Sequence, residues 1–351
     1  MHNSITAISL FSGAGGMDLG VEMAGCRTLC SIEVDPHCVE TVRANNDPLR
    51  NVWQVDIRAV DPKAAGKTLG IAPGELGILH GGPPCQPFSQ IGKQLGVHDH
   101  RGLLAFEMLR FAKALRPAVV LMEQVAGFAK ALSEEGTLLV DVFREEFASL
   151  GYTMAARVLN AADYGVPQNR KRLFLVAVRQ DLKKFSPEFA YPAPTLSQRC
   201  ARQVLADLPR PVLKGQRALF PNHIDGTPER DRERIAPVME GGCLAKSDAT
   251  AELKQRLTAK DTTKFRRLAW DEPALTLRCG EIFYHPVENR YLTPREYMRL
   301  HTYPDDYVLH GPIRGRTGQV KTLDQHRQVA NSVPPMLARQ MAEGALSVVC
   351  L

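Results

Sequence analysis

The 351-residue sequence lacks the marks of several protein classes. No apolar run approaches the roughly 20 residues that a membrane helix needs, and no basic segment followed by an apolar core stands at the N-terminus. We therefore expect a soluble, cytoplasmic protein without a membrane partner. The eight cysteines include no C-x-x-C pair, which argues against structural zinc and against a disulfide framework. Reduced thiols and no metal site are predicted.

The charge of the chain is unevenly distributed. The net charge is +6. Residues 198–267 contain 15 Lys and Arg against nine Asp and Glu, so this segment alone accounts for the excess. A basic segment suits a polyanion such as nucleic acid, but a solvated surface can have the same composition. Charge alone leaves both interpretations open.

The first 180 residues alternate strand-like and helix-like patterns. This alternation predicts an α/β fold with a doubly wound, mainly parallel sheet. The predicted strands are 5–11, 28–33, 53–57, 76–79, 117–123, 152–159 and 172–178, and the predicted helices are 17–24, 36–45, 102–115 and 138–150.

A second, smaller and irregular domain is expected after about residue 181, where proline, glycine and charged residues increase. Helical periodicity returns at 293–301 and again at 335–349. We expect a first domain formed by residues 1–183 and 325–351, and a second domain and hinge formed by residues 184–324.

The segment Gly81–Ser89 (GGPPCQPFS) places one thiol in a turn framed by glycine and proline. Two consecutive prolines fix two φ angles and remove two backbone donors, so the segment must be a shaped loop after the apolar run that precedes it. Reacting groups collect at strand ends of open α/β sheets. Cys85 is therefore predicted to be a nucleophile rather than an inert core thiol.

A glycine turn, Phe11–Gly16, joins the first predicted strand to the first helix, and Glu33 ends the next strand. Glycines allow close backbone approach, and a strand-end carboxylate can accept hydrogen bonds from ribose hydroxyls, so a nucleoside cofactor is predicted. The NAD fingerprint G-x-G-x-x-G fits less well, because Asp18 stands in its last place. An NAD-dependent dehydrogenase remains an alternative.

Two further groups could act at the same sheet edge. Glu123 ends the fifth predicted strand, and a carboxyl in a partly buried pocket can stay protonated long enough to donate to a ring nitrogen. Strand alternation puts Gln168, Arg170 and Arg172 on one face, where they could hold a base oxygen and phosphates.

Together these segments resemble the DNA cytosine carbon-5 methyltransferases. The resemblance extends through three more segments, 267–276, 291–299 and 328–335, in family order. It implies an S-adenosylmethionine-dependent, Rossmann-like sheet with a second, target-recognition domain, and double-stranded DNA as substrate. It also implies a covalent adduct through Cys85 and extrusion of the target cytosine from the duplex.

The resemblance also assigns residues to roles. Phe11 would lie against the adenine, Glu33 would contact the ribose, Asp56 the adenine amino group, and Asn331 with Ser332 the methionine end. The catalytic set is Cys85, Glu123, Arg170 and Arg172. The cofactor-binding set is Phe11, Gly13, Gly15, Glu33, Asp56, Pro83, Asn331 and Ser332. The nucleic-acid-binding set is Gln86, Ser89, Arg101 and Gln168.

The sequence departs from the family pattern at Gln124, where the family usually has asparagine. A monomer is expected, since a monomer can methylate both half-sites of a palindrome in two visits. A cognate restriction endonuclease is a possible partner, and the alternative is a methyltransferase that acts alone. A tRNA cytosine-5 methyltransferase and a catalytically silent DNA-binding module are the remaining alternatives.

Overall fold

The computed structural model describes residues 5–45, 47–84, 104–133, 135–182, 189–195, 197–254, 257–258, 260–313 and 322–347. The chain forms two compact units. Unit 1 consists of residues 1–160, 171–194 and 335–351, and unit 2 of residues 161–170 and 195–334. This division differs from the expected boundaries in three places, because residues 161–170 and the helix Gln325–Asn331 belong to unit 2, and residues 184–194 belong to unit 1.

Unit 1 is built around a seven-stranded sheet with the order β3-β2-β1-β4-β5-β8-β6. The strands are β1 (Thr6–Leu10), β2 (Arg27–Glu33), β3 (Asn51–Gln54), β4 (Ile78–Gly81), β5 (Val119–Val125), β6 (Tyr152–Asn160) and β8 (Lys171–Arg179), whereas β7 (Gln168–Asn169) is in unit 2. The five strands from β3 to β5 pair in parallel, and β8 runs antiparallel to both of its neighbours. The predicted doubly wound, mainly parallel α/β fold is confirmed.

Helices cover both faces of this sheet. They are α1 (Gly16–Met23), α2 (Pro36–Asn45), α3 (Pro62–Thr68), α4 (Phe106–Leu115), α5 (Leu139–Ser149) and α11 (Pro335–Ser347). One face forms the main apolar core, in which Phe106 of α4 and Phe143 of α5 pack with ring centroids 4.7 Å apart. This double coverage explains why β1 and β4 are buried along nearly their whole length.

Helix α1 is held to the other face by α11 and by a buried carboxylate. A Cβ added to Gly20 would lie 2.4 Å from the Cβ of Ala338, so the two helices approach as closely as glycine permits. Asp18 accepts hydrogen bonds from the hydroxyls of Ser9 in β1 and Ser31 in β2, at 2.6 and 2.7 Å. These contacts fix the helix that follows the glycine turn.

The third strand and the third helix differ from the expectation. The strand was expected at 53–57 but ends at Gln54, because Asp56 caps a 3-10 turn, Ile57–Ala59, by accepting a hydrogen bond from the Arg58 amide. Helix α3 was not predicted, although Asp61 caps its N-terminus and proline occupies its first turn.

Unit 2 contains short elements. Its helices are α6 (Arg202–Leu205), α7 (Glu229–Ile235), α8 (Ala251–Lys254), α9 (Pro294–Leu300) and α10 (Gln325–Asn331), and its other strands are β9 (Val212–Leu213), β10 (Ile224–Asp225) and β11 (Ala274–Leu275). Strand β10 pairs with β9, and β11 pairs with β7. His326 joins α10 to its surroundings through contacts with the carbonyls of Ile313 and Leu292, at 2.7 and 2.9 Å.

Candidate active site

The glycine turn has the unusual backbone that a closely held ligand requires. Phe11, Gly13 and Gly15 all have positive φ, at 56°, 51° and 73°. A positive φ strains phenylalanine, and such strain persists at functional sites that the surrounding structure enforces. A Cβ added to Gly13 would meet no atom within 4 Å. The turn therefore leaves open space beside its backbone.

Glu33 closes the turn from the end of β2. Its carboxylate accepts hydrogen bonds from the Gly13 amide at 2.8 Å, from the Val34 amide at 2.8 Å and from the Asp35 amide at 2.9 Å. Burial raises the pKa of Glu33 above its usual value, although these three amides act in the opposite direction. Glu33 therefore shapes the turn as well as lining it.

Asp56 follows the third of three adjacent parallel strands whose carboxyl ends meet at one edge. Its carboxylate pairs with the guanidinium of Arg58, with Nε 3.0 Å from Oδ1. This contact and the Arg58 amide lower the pKa of Asp56 to about 2. This edge of the sheet thus carries Phe11 and the two acidic residues Glu33 and Asp56, and their contacts with a nucleoside stay predictions.

The segment that leads to the predicted nucleophile leaves the same sheet edge one strand further along. A Cβ on Gly81 would lie 2.5 Å from the carbonyl oxygen of Leu10, so only glycine allows β4 and β1 to approach in this way. Pro83 is buried. Cys85, Gln86, Ser89 and Arg101 lie outside the described residues, and their predicted roles remain proposals.

Glu123 and Arg172 form an ion pair at the end of β5. The Nε atom of Arg172 lies 2.8 Å from Oε1 of Glu123, and the two side chains are 15% and 10% exposed. The other carboxylate oxygen lies 3.5 Å from the position that a Cβ on Gly82 would occupy. The structure thus brings a buried carboxylate and a guanidinium together beside the segment that precedes Cys85.

Gln124 makes a contact that the sequence analysis did not foresee. It is 1% exposed, and its Nε2 donates to the carbonyl oxygen of Pro83 at 2.7 Å. Prolines carry no backbone N–H, so Pro83 and Pro84 can be fixed only through their carbonyls and their rings. A buried amide next to Glu123 was the available signal, because such a group requires a partner.

Gln168 and Arg170 have partners within unit 2. Gln168 is fully buried and donates to Nδ1 of His301 at 3.0 Å. Arg170 is 1% exposed and donates to the carbonyls of Ala330 and Ser332 at 2.8 and 2.9 Å. Arg170 is the last residue of this unit 2 segment, whereas Arg172 pairs with Glu123 in unit 1, and the shared polar face of the three residues stays a prediction.

Asn331 and Ser332 stand at the C-terminal end of α10. Oδ1 of Asn331 accepts a hydrogen bond from the thiol of Cys279 at 2.7 Å. The Ser332 hydroxyl donates to the carbonyl of Val329 at 2.8 Å. Both residues belong to unit 2, and their proposed cofactor contacts stay predictions.

The described part of the chain lacks a metal-binding cluster and a membrane-spanning helix. It contains no group of three or more His, Cys, Asp or Glu residues arranged to hold a metal ion. Within the same residues, no helix has the length and apolar character needed to cross a membrane.

The sheet order, the glycine turn and the strand-end acidic residues define a Rossmann-like methyltransferase fold. The model of the C-5 cytosine-specific DNA methylase family matches residues 5–346. The chain belongs to this family and is a DNA cytosine-5 methyltransferase.

Curated relatives and solved structures agree with this assignment. The chain is 35% identical to the type II methyltransferase M.Eco47II of Escherichia coli, over 96% of this chain and 78% of that protein. It is 36% identical to M.PspPI of a Psychrobacter strain, over 95% and 77%. The fold is shared with an E. coli prophage protein described as a DNA modification methyltransferase (TM-score 0.73, 23% identity, 98% and 99% coverage). It is also shared with a variant of Spodoptera frugiperda DNMT2 (TM-score 0.65, 17% identity, 97% and 99% coverage). The family match favours DNA over tRNA as substrate and overturns the dehydrogenase and silent-module alternatives.

Proposed function

We propose that the enzyme activates its target cytosine covalently through Cys85. Carbon 5 of cytosine is a poor nucleophile, so the ring must be activated before it can attack an electrophilic methyl group. Addition of the Cys85 thiolate to carbon 6 creates an enamine that is nucleophilic at carbon 5. Loss of the carbon-5 proton after methylation re-forms the ring double bond and expels the thiolate.

The Glu123–Arg172 pair is the observation that supports this mechanism most directly. In the protein alone, the guanidinium of Arg172 lies against the carboxylate of Glu123. When the base enters, Glu123 is proposed to take up a proton and hydrogen-bond ring nitrogen 3 and the exocyclic amine, while Arg172 turns to oxygen 2. Both contacts strengthen as negative charge develops on the ring, and groups held in place beforehand lower the barrier most.

The sheet edge at the glycine turn is proposed to hold S-adenosylmethionine. The open space beside Gly13 and the strained backbone of Phe11 fit a closely packed nucleoside, and Glu33 still has lone pairs for ribose hydroxyls. Asp56 would accept from the adenine amino group, and Gly15 and Pro83 would line the site. Asn331 and Ser332 are proposed to contact the methionine end. When bound, the cofactor supplies a sulfonium methyl group.

The remaining predicted residues are proposed to support DNA binding. Atoms of the cytosine ring are inaccessible in a stacked duplex, so the base must be extruded from it. Gln86, Ser89 and Arg101 are proposed to contact phosphates. The buried positions of Gln168 and Arg170 favour supporting roles, since the Gln168 amide and Nη2 of Arg170 donate to protein acceptors.

The biological setting is a further part of the proposal. The type II names of the relatives support a role in restriction and modification, with a cognate endonuclease that shares the site. We propose that the enzyme acts as a monomer in the bacterial cytoplasm, on double-stranded DNA.

The experiment that tests this function compares methyl acceptors. The protein is incubated with radiolabelled S-adenosylmethionine and either mixed-sequence bacterial duplex DNA or tRNA, and modified cytosines are mapped at base resolution. Incorporation into DNA at one short sequence context is expected. Incorporation into tRNA alone would contradict the proposal, and so would the absence of incorporation into both substrates.

A further inference from the structure

We propose that residues 209–223 of unit 2 form a DNA-recognition finger, in which Arg217 reads a base and Lys214 contacts a phosphate. The inference rests on the proposed function. Between Leu208 and Ile224 the chain carries three basic residues, Arg210, Lys214 and Arg217, and no acidic residue. This is the charge that a DNA duplex attracts.

The base of the finger is anchored by a buried histidine and a half-buried asparagine. His223 is 2% exposed and contacts the hydroxyl of Thr293 at 2.9 Å and the carbonyl of Pro209 at 2.8 Å. Asn222 donates to the carbonyl of Leu309 and accepts from the Leu309 amide, both at 2.9 Å. The two ends of the finger are therefore held on one support.

The tip of the finger is also preformed. Gln216 donates its amide N–H to the carbonyl of Leu213 at 3.1 Å, and its side-chain Oε1 accepts from the Leu213 amide at 3.0 Å. Gly215 between them has a φ of +93°. Such a closed turn binds with little loss of conformational entropy.

The groups presented by the tip are exposed and match the chemistry of DNA. Leu219 is 81% exposed, more than any other large hydrophobic residue in the described part of the chain, and Leu213 is 57% exposed. Lys214 and Arg217 are also exposed. A rigid loop with aliphatic and cationic groups at its tip fits the base edges and phosphates of a duplex, because aliphatic side chains pack on thymine methyl groups or between bases.

The two cations are suited to different contacts. The planar guanidinium of Arg217 can donate two parallel hydrogen bonds to the O6 and N7 atoms of guanine, a geometry that lysine cannot reproduce. The ammonium of Lys214 is a compact charge suited to a phosphate. Arg217 is therefore assigned to specificity, and Lys214 to affinity.

The test uses the full-length enzyme on duplexes with the mapped site and on duplexes that differ from it by one base pair. Arg217→Lys keeps the charge but removes the bidentate geometry. The ratio of kcat/KM for the mapped site to kcat/KM for one substituted site is expected to fall by roughly 5- to 100-fold. Lys214→Ala is expected to weaken binding to all duplexes alike and to lower the slope of log affinity against log salt by about one.

Matched controls are available on unit 1. Lys63→Ala removes an exposed lysine and is the control for Lys214→Ala. Leu49→Ala removes a leucine that is 71% exposed and is the control for Leu219→Ala. Neither control is expected to change DNA affinity or specificity. The proposed recognition role of the finger would be contradicted by two results together. Arg217→Lys and Arg217→Ala would discriminate between the mapped and substituted sites as well as the wild type does, and Lys214→Ala would leave the slope of log affinity against log salt unchanged. A wild-type enzyme that methylates no DNA would instead overturn the proposed function itself.

Discussion

The two units provide hydrogen-bond partners for their buried backbone N–H and C=O groups in different ways. In unit 1 these groups bond to one another across a seven-stranded sheet. In unit 2, where each described strand pair is two residues long, buried arginines bond to many carbonyls. Arg267, 4% exposed, donates to the carbonyls of Val238, Ile235, His285 and Glu288 at 2.5 to 2.9 Å.

The buried arginines of unit 2 account for part of the basic composition of residues 198–267. Arg267 contributes to that excess but is buried, and burial lowers its pKa. Arg295, in the same unit but beyond this segment, is fully buried, donates to three carbonyls and has a pKa lowered by burial to about 10. Part of the positive charge therefore supports the fold of unit 2 rather than DNA binding.

The largest expected effect tests whether the chemistry depends on the unit 1 loop. Cys85→Ser should lower kcat by at least about 10³-fold, because a serine hydroxyl is not ionised at neutral pH. Affinity for S-adenosylmethionine, measured by calorimetry, should change little. Retained turnover in this variant would exclude the covalent mechanism.

An arginine-to-lysine substitution in each unit distinguishes a role in catalysis from a role in stabilising the fold. Arg172→Lys should lower kcat by about 10²-fold and change the free energy of unfolding by less than about 1 kcal/mol, because charge remains beside Glu123. Arg267→Lys should lower the free energy of unfolding by about 3 kcal/mol, since one ammonium cannot reach four carbonyls.

Chemical denaturation and steady-state kinetics on both variants provide the measurement. Kinetics are recorded at low temperature, where the Arg267→Lys variant stays folded and its kcat should be near that of the wild type. A large loss of kcat in that folded variant would contradict the distinction drawn between the two arginines.

A smaller effect is expected at Gln124. Gln124→Leu removes the donor to Pro83 and should lower kcat about tenfold, because the loop that leads to Cys85 is misplaced. Since Pro83 also lines the proposed cofactor site, the KM for S-adenosylmethionine should rise, but by a smaller factor than kcat falls. Gln124→Asn restores the residue usual in the family and should retain activity within about threefold of the wild type. Gln180→Leu, at an exposed glutamine, is the control. Equal kcat in all three variants would remove the positioning role.

The smallest effect concerns pH. Burial raises the pKa of Glu33, whereas pairing with Arg58 lowers that of Asp56 to about 2. On mild acidification Glu33 therefore gains a proton first, loses acceptor capacity and weakens cofactor binding by a few-fold. Dissociation constants measured across pH should show this loss in the wild type and in Asp56→Asn. In Glu33→Gln the dissociation constant for S-adenosylmethionine should not change with pH in this range. If it still changed, a group other than Glu33 would be responsible for the pH dependence.

The sequence predicted the sheet and much of its edge, since strand periodicity and turn chemistry are local properties. The positions of Glu33 and Glu123 at strand ends follow from such patterns. The partners of Gln124 and Arg170 could not be predicted, because Pro83 and Ala330 are distant in sequence and become neighbours only after folding. Alternation could not show that consecutive polar residues divide between two units.

The contact of α1 with α11 has a consequence for synthesis. Residues 195–334 separate α11 from the rest of unit 1 in the chain. At ~5–20 residues per second, a ribosome needs on the order of 7–28 s to make that stretch. During this interval the surface around Gly20 lacks its contact with Ala338, so the growing chain exposes a face that α11 later covers. Unit 1 is therefore completed after unit 2 has been translated.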